Sequence, residues 1–173
     1  MIISKEQFIS LLEEHTNILY KISRSYCHDP DDRKDLEQEI VIQIWKSLKN
    51  FNPEFRLSTW IYRIGLNVAI SHLRKDSKRR NQFEPLEEAI FEVSDDEEEN
   101  EVVTEQLATL NHFINQLDSL NKALMILYLD GKSYKEMSEI MGISESNVST
   151  KISRIKKEFR QKFNHQTHTE SWN

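Results

Sequence analysis

The chain has 173 residues, 30% of them charged, and its three glycines and three prolines are too few for the turns of an all-β protein. With one cysteine, no long apolar run and no recognisable signal peptide, the sequence predicts a cytoplasmic protein without an internal disulfide. The net charge of −6 divides unevenly, into +3 over residues 1–80, −12 over residues 81–120 and +3 over residues 121–173. The two ends could therefore each approach a polyanion, whereas the middle could not.

The first 80 residues have the patterns of a helical domain. One helix is predicted over Lys5–Cys27, and a second over Asp32–Asn50 after a break at Pro30. In the second helix apolar residues recur at every fourth position, which indicates one side packed against a core. Another helix is predicted to begin after Ser58 or Thr59 and to end in a run of basic residues.

Aromatic and basic side chains occur together before and within that last helix. The aromatic residues are Phe51, Phe55, Trp60 and Tyr62, and the basic ones are Arg56, Arg63, Arg74 and Lys75. Such a mixture suits single-stranded nucleic acid, because a base stacks on a ring while a cation neutralises its phosphate. The helical spacing equally allows several of these rings to belong to a core.

A block of like charges, Ser94–Glu101, lies in the middle of the chain. Since such a block repels itself and buries nothing, we predict a flexible linker over residues 83–105. The linker is interpreted as a solvated spacer, and the alternative is that an acidic strand imitates nucleic acid in a basic channel.

Two amphipathic helices are predicted after the linker, over Glu105–Leu117 and Asn121–Leu129, and a turn at Gly131 follows them. Ser133 and Glu136 form a capping box that starts a short helix ending at Gly142. A further helix begins after the cap residue Ser144 and continues to about Phe163. Two short helices joined by a glycine turn predict a helix-turn-helix, whose second helix can enter the major groove of DNA.

The second helix of this motif supplies polar and basic side chains that could contact DNA. If Val148, Ile152 and Ile155 face inward, a different set faces outward or flanks that outward face. Its members are Asn147, Ser149, Thr150, Lys151, Arg154 and Lys157. Short polar groups can reach base edges, and Lys or Arg can reach guanine or phosphate. The alternative is a solvated basic face of an interaction domain.

Three stretches resemble sigma factors of bacterial RNA polymerase. Asp35–Trp45 reads DLEQEIVIQIW and resembles the D-L-x-Q-E-x-F-x-x-x-W pattern of sigma region 2. Ser58–Asn67 reads STWIYRIGLN and is similar to the S-T-W-L-Y-R-I-A-x-N stretch that follows it in that region, with Gly65 where Ala is usual. Ser133–Ser144 resembles the helix-turn-helix of region 4. The order and spacing of the three, with no large domain between them, resemble the small extracytoplasmic-function type.

The resemblance implies an all-α fold of two small helical domains joined by an acidic linker. Residues 1–82 would form region 2, residues 83–105 the linker and residues 106–164 region 4. The sequence itself predicts a disordered tail over residues 165–173, and the alternative is a docking segment. The implied surface for core polymerase comprises Asp35, Gln38, Glu39, Gln43 and Trp45. The residues implied for the −10 element are Arg56, Trp60, Arg63, Asn67, Ser71, Arg74 and Lys75. The outward side chains of the last helix, from Asn147 to Lys157, would read the −35 element.

The implied partners are core RNA polymerase, through its β′ clamp helices and β flap, promoter DNA, and an anti-sigma factor. No cofactor, metal or small-molecule substrate is expected, and the chain is expected not to be an enzyme. Its six histidines are scattered, and it has no Gly-rich phosphate loop. The main alternative is a helix-turn-helix regulator that binds DNA without polymerase. A redox role for Cys27 is a further alternative, although burial at a helix end is the simpler expectation.

Overall fold

The computed structural model describes residues 4–80 and 101–169, which are α-helical and contain no strand. The predicted all-α class is therefore confirmed over this part of the chain. No helix within it is long and apolar enough to cross a membrane. The helices are α1 Lys5–Glu13, α2 Thr16–Tyr26, α3 Pro30–Ser47, α4 Leu57–Arg80, α5 Glu101–Gln116, α6 Ser119–Leu129, α7 Tyr134–Met141 and α8 Glu145–Thr169, with a 3₁₀ turn at Leu48–Asn50.

Three helices, α2, α3 and α4, build the core of the N-terminal domain. The every-fourth stripe of α3 is buried as predicted, and Leu36, Ile40 and Ile44 have no accessible surface. They pack with Ile22 of α2 and Ile61 of α4, which are equally inaccessible. Burial of one stripe on each helix leaves the opposite sides of α3 and α4 free to carry polar side chains.

The prediction of one helix over Lys5–Cys27 is wrong, because α1 ends at Glu13 and α2 begins at Thr16. The backbone of His15 lies outside the helical region, with φ −121° and ψ 13°. The Thr16 hydroxyl donates to the carbonyls of Leu12 and Glu13, at 3.2 and 3.1 Å. A threonine that satisfies preceding carbonyls in this way competes with the helical ladder, which is interrupted here.

Helix α3 begins two residues before the predicted start, with Pro30 in its first turn. The extended residue before the proline is Asp29, whose carboxylate accepts the amide protons of Asp31 and Asp32 at 2.8 and 3.2 Å. Proline suits a first turn because its missing N–H would have no partner there. The proline therefore starts the helix that it separates from α2.

Gly65 is the point of close approach between α4 and α2. A Cβ atom at this position would lie 2.7 Å from Cδ1 of Ile22 and 3.6 Å from Cγ2 of Ile40. The helices at Gly65 therefore leave little room for a Cβ atom unless the Ile22 side chain moves.

The C-terminal domain comprises α5 to α8, and α7 and α8 form the predicted helix-turn-helix. The capping box of α7 is present, since Ser133 Oγ accepts the Glu136 amide at 3.2 Å and Glu136 accepts the Ser133 amide at 3.0 Å. Gly142 ends α7 in the left-handed conformation, with φ +67°. Val148 and Ile152 of α8 are completely buried against the rest of the domain.

The ends of the last domain differ from the sequence expectations. Helix α5 begins at Glu101, so its first turn falls within the range assigned to the linker. Helix α8 continues to Thr169, so the predicted disorder is wrong for residues 165–169, which extend the helix instead. The acidic residues 94–100 and the last four residues, with Trp172, lie outside the described part of the chain.

Candidate nucleic-acid and polymerase-binding surfaces

The outward side of α8 carries five of the six side chains predicted to contact the −35 element. Its cap is Ser144, whose Oγ accepts the Asn147 amide at 3.2 Å. The five lie within about 120° around the helix axis and are exposed or half-buried: Asn147, Thr150, Lys151, Arg154 and Lys157. Ser149 is exposed as well and borders the group, about 80° around the helix from Lys157 and about 160° from Lys151, because successive residues are about 100° apart.

The residues predicted for the −10 element follow one side of α4. Exposed residues recur at spacings of four, four and three, and they are Arg63, Asn67, Ser71 and Arg74, with Lys75 beside them. We call these five residues the α4 stripe. It lies opposite Ile61 and Gly65, which are buried in the core. This arrangement gives a polar, cationic track along a rigid helix, which suits a nucleic-acid backbone.

The segment before α4, Phe51–Arg56, separates the aromatic residues into core and surface groups. Trp60 is half-buried and packs edge to face on Phe51, with ring centroids 5.1 Å apart. Phe55 is 48% exposed and lies beside Arg56, whose side chain is 81% exposed. Phe55 was not among the predicted site residues, although its place in a proline-containing segment next to an arginine is the pattern that could have identified it.

The five residues predicted to bind polymerase are all exposed on α3, but they face two ways. Trp45 is 46% exposed and is held edge to face by Phe8 of α1, with centroids 4.7 Å apart. Glu39 faces α4, where its Oε1 lies 3.8 Å from Nζ of Lys75 and its Oε2 lies 3.7 Å from Nδ1 of His72. Glu39 thus lies where the predicted polymerase and −10 surfaces meet.

A groove between α2 and α3 adds apolar side chains to the exposed face of α3. Ile42 and Tyr20, each 51% exposed, line it together with Gln38. Neither apolar residue was predicted as a site residue. Ile42 could have been noticed, because it is an apolar residue outside the every-fourth stripe that builds the core.

The two domains touch through a cluster of polar groups around Asp130, at the end of α6. Its Oδ2 accepts the Tyr62 hydroxyl of α4 at 2.7 Å, and its Oδ1 pairs with Lys21 of α2. Lys132 lies 3.4 Å from Oδ2 and covers the Tyr62 ring, with Nζ 5.2 Å from the centroid. Burial alone would raise the pKa of Asp130, but these donors and cations hold it below its usual value.

A second group of cross-domain contacts surrounds Lys122 of α6, which is only 5% exposed. Its Nζ donates to the Ser25 carbonyl at 3.2 Å and to Oδ1 of Asn115 at 3.1 Å, and burial lowers its pKa. The Tyr26 hydroxyl donates to the Ser119 carbonyl at 2.8 Å. The pKa values of Tyr26 and Tyr62 are both raised by burial, and nearby Asp118 and Asp130 raise them further.

A third contact joins the helix-turn-helix to the segment before α4. Oε1 of Glu136 lies 3.4 Å from Nη1 of Arg56. The hydrogen bonds that Ser133 donates to Glu136 lower the pKa of this carboxyl, and the charges of Lys132 and Arg56 add to them. Glu136 is therefore an anion that caps α7 and faces a predicted DNA-binding arginine.

Within the described residues, no group of three or more His, Cys, Asp and Glu side chains could hold a metal ion. Cys27 is buried at the end of α2, in agreement with its expected place. The surfaces that remain are cationic or apolar and extended, and such surfaces suit macromolecules rather than small substrates.

Comparison with known families divides the chain at the same place as the fold. Residues 11–79 match the family described as Sigma-70 region 2. Residues 107–159 match the family described as Sigma-70, region 4. The first match contains α3 and the α4 stripe, and the second contains the helix-turn-helix.

Curated relatives match over nearly the whole chain. The chain is 27% identical over 159 residues to the RNA polymerase sigma factor SigV of Bacillus subtilis, covering 91% of each protein. It is 27% identical over 161 residues to the ECF RNA polymerase sigma-E factor of Haemophilus influenzae, covering 88% of this chain and 85% of that protein. It is 26% identical over 161 residues to the RNA polymerase sigma-H factor of Pseudomonas aeruginosa, covering 88% and 83%.

Two solved structures share the fold. The sigma factor RpoE of Bartonella quintana, crystallised with the anti-sigma factor NepR, aligns with a TM-score of 0.69 at 19% identity, covering 91% of this chain and 94% of that one. CnrH, in complex with the cytosolic domain of CnrY, aligns with a TM-score of 0.65 at 20% identity, covering 94% and 90%. The two-domain helical architecture is therefore shared with these proteins.

Proposed function

Because the chain belongs to the sigma-70 family, as a sigma factor of the extracytoplasmic-function type, we propose that it binds core RNA polymerase and recognises promoters through both of its domains. Members of this family are factors of promoter-specific transcription initiation. The observation that carries the finer proposal is the pair of polar tracks, one on α4 and one on α8, each opposite a buried core stripe.

The C-terminal domain reads duplex DNA at the −35 element. Helix α8 enters the major groove with Asn147 and Thr150 near its leading end, where short polar groups reach base edges. Arg154 and Lys157, further along the same side, contact bases or phosphates. Ser149, exposed at the edge of this group, is a further short polar side chain that can reach the DNA.

The N-terminal domain captures the −10 element in single-stranded form. The α4 stripe binds the sugar-phosphate backbone, and Arg63 and Arg74 neutralise phosphates along it. Phe55 and Arg56, exposed before the helix, receive an unstacked base, because a ring and a guanidinium plane together suit one. Trp60 acts by holding Phe51, and thus the segment that carries this pair.

The polymerase surface is the exposed face of α3. Asp35, Gln38 and Gln43 supply polar contacts to the β′ clamp helices, and Trp45 and Ile42 supply apolar ones. An aromatic anchor amid polar groups is typical of the residues that dominate binding energy at protein interfaces. Glu39 has a different task, that of holding Lys75 of the α4 stripe in place.

An anti-sigma factor is the expected inhibitor of this chain. RpoE of Bartonella quintana, which shares its fold, was solved with the anti-sigma factor NepR bound. We expect the inhibitor to compete with core polymerase for the chain, so that adding core polymerase displaces it from a purified complex. An inhibitor that stays bound when polymerase binds would contradict this expectation.

Run-off transcription tests the function directly. Core RNA polymerase is incubated with a library of promoter fragments, alone, with this chain, and with the Lys5→Ala/Lys49→Ala variant, which loses charge outside every proposed surface. We expect discrete new transcripts with the chain and with this control variant. The appearance of no new transcript and no complex with core polymerase would instead favour a helix-turn-helix regulator, which binds DNA by itself.

A further inference from the structure

We propose that a cleft lined by α2, α5 and α6 binds a small organic carboxylate with an apolar body. The cleft has a volume of about 400 Å³. Ligand pockets in proteins usually measure about 300–1,000 Å³, so the cleft can hold a molecule of ordinary cofactor or metabolite size. This site is separate from the proposed function, since none of the described residues that line it belongs to the proposed DNA-binding or polymerase surfaces.

One wall of the cleft is apolar and belongs to the C-terminal domain. Ile114 of α5 and Ile126 of α6 line it but are largely buried, so only a small part of each is open to a ligand. Leu129 is 53% exposed, and Ala108 is exposed as well. Apolar surface that is open to water gains free energy when a hydrocarbon chain or an aromatic ring covers it. This wall therefore suits the apolar body of a ligand.

The other wall belongs to the N-terminal domain and is cationic. Lys21 and Arg24 lie three residues apart on α2, and Arg33 of α3 lines the cleft with them. Among the described residues that line the cleft, these three cations accompany one acid, Asp130, which is paired with Lys21. Positive charge is therefore in excess, and the apolar wall beside it lowers the local dielectric constant and strengthens its attraction for an anion.

Arg24 is the side chain that we expect to hold the carboxylate. Its guanidinium lies over the Tyr20 ring, with Cζ 5.7 Å from the centroid, and its Nη1 donates to the Tyr20 hydroxyl. A guanidinium has five N–H donors, so stacking on a ring orients it while leaving donors for a carboxylate. Arg33 differs, because its Nε and Nη2 donate to the carbonyls of Cys27 and His28 at 2.9 and 2.7 Å. We therefore expect Arg33 to contribute charge and Arg24 to form the direct contact.

Lys122 adds a buried cation behind the cleft. Its Nζ donates to the Ser25 carbonyl of α2 and to Oδ1 of Asn115 of α5, and both of these residues line the cleft. Since the side chain is almost inaccessible, it acts on a ligand through its field rather than by contact. The same lysine bridges the two walls, so the site is formed before a ligand arrives, which lowers the cost of binding.

Isothermal titration calorimetry of the full chain with four probes tests this assignment. The two carboxylate probes are 2-naphthoate and decanoate, the neutral probe is 2-naphthamide, and the purely inorganic anion is phosphate. We expect a carboxylate probe to bind at one site per chain, and 2-naphthoate to bind about tenfold or more tightly than 2-naphthamide, because a hydrogen bond to a charged group is lost in the amide. Phosphate, which has no apolar body, should bind more weakly than 2-naphthoate. No saturable binding of either carboxylate, or equal affinities for 2-naphthoate and 2-naphthamide, would overturn the proposal.

Two matched pairs of substitutions test whether the probe binds in the cleft. Arg24→Glu reverses the charge of the proposed contact, and Lys5→Glu makes the same change of charge on α1, outside the cleft. Leu129→Asp places an acid on the apolar wall, and Leu107→Asp does so at another exposed leucine, which does not line the cleft. We expect Arg24→Glu and Leu129→Asp each to lower the affinity for 2-naphthoate about tenfold or more, and each control to change it by less than about twofold. Equal losses in a cleft variant and its control would contradict the site.

Thermal unfolding checks that the probe binds the folded chain. A ligand that binds only the folded state raises Tm, so a saturating concentration of 2-naphthoate should raise the Tm of the wild type and of Lys5→Glu. The Tm of Arg24→Glu should not respond to the same concentration. Circular dichroism establishes that each variant keeps its helical content, which is expected because all four substituted side chains are exposed. An unchanged or lowered Tm of the wild type would overturn the proposal.

Discussion

The two helices proposed to contact DNA, α4 and α8, have similar polar sides but differ in their contacts with the other domain. Each buries one apolar side and exposes a polar side, as in Ile61 against Arg63 or Ile152 against Arg154. On α4, a third sector is occupied by the contact of Tyr62 with the other domain. On α8, the outward track has no such neighbour among the described cross-domain contacts. The two helices therefore differ in how closely the other domain packs beside their polar sides.

The largest effect is expected from substitutions of the exposed arginines on α4. Arg63→Ala/Arg74→Ala should reduce run-off transcription on the order of 100-fold, because two cationic contacts at about 1–3 kcal/mol each are lost. Binding to core polymerase should be unchanged, since the face of α3 is intact. The Lys5→Ala/Lys49→Ala variant serves as the matched control for charge. Equal losses in the two variants would show that only net charge matters.

A smaller effect is expected on the α8 side. Arg154→Ala should weaken promoter binding by the polymerase complex by about tenfold, as for one lost base or phosphate contact. Arg160, exposed on the same helix but about 120° away, provides the control Arg160→Ala. Footprinting should show the loss at the −35 end alone. If Arg160→Ala has the larger effect, the orientation assigned to α8 is wrong.

Substitution of Gly142, in the turn that positions α8, is expected to change the stability of the fold rather than a contact with DNA. Gly142→Ala should lower the free energy of unfolding by roughly 1–2 kcal/mol, because φ is +67° and the added Cβ meets no atom within 4 Å. Gly142→Asn should lose less, since Asn tolerates this conformation. Urea denaturation measures both. Equal losses for the two variants would mean that steric fit, and not backbone conformation, sets the requirement.

The contact between the two domains should also be visible at alkaline pH. Tyr26 and Tyr62 have pKa values raised above the ordinary 10.0, so their stabilisation of this contact is complete below pH 10 and is lost as the pH rises further. The lowered pKa of Lys122 acts oppositely, but only up to its ordinary 10.5, above which the tyrosines alone matter. Absorbance titration should therefore show two of the five tyrosines ionising late. Tyr62→Phe should remove one of these, and an unchanged late fraction would contradict the assignment.

The smallest expected effect concerns the close packing beneath the α4 stripe. Gly65→Ala gains about 1 kcal/mol of helix propensity but presses Cβ on Ile22, so the net change should be within about 1 kcal/mol of zero. In an Ile22→Val background, which lacks Cδ1, the same substitution should be more favourable. A double-mutant cycle by urea denaturation measures this coupling. Strict additivity would show that Ile22 already moves aside without strain.

Sequence patterns predicted the features that depend only on residues close together in the chain. The every-fourth stripe of Leu36, Ile40 and Ile44 and the capping box at Ser133 needed only spacing and side-chain chemistry. The break at His15 was missed because the apolar stripe continues across it, while the Thr16 hydroxyl that competes for carbonyls leaves no periodic trace. The continuation of α8 beyond Phe163 was missed because the residues that follow are polar and lack helical periodicity.

The contact between the two domains could not be predicted from the sequence. Asp130 looks like an ordinary turn residue before Gly131, and its partner Tyr62 lies 68 positions away. Lys122 lies between an Asn and an Ala at the start of a helix, and no pattern distinguishes it from a solvated lysine. Its burial depends on how two separately patterned domains meet, which is a property of their surfaces together.

Lys122 also bears on how the chain behaves once its domains have parted. A covered surface with a lysine and an aspartate, Asp130, in it differs from an apolar core cut in half. When water reaches it, the ammonium and the carboxylate are hydrated at once, but the buried apolar side chains of both domains belong to one cluster and would be uncovered with them. A chain whose domains have parted is therefore expected to expose apolar as well as charged surface.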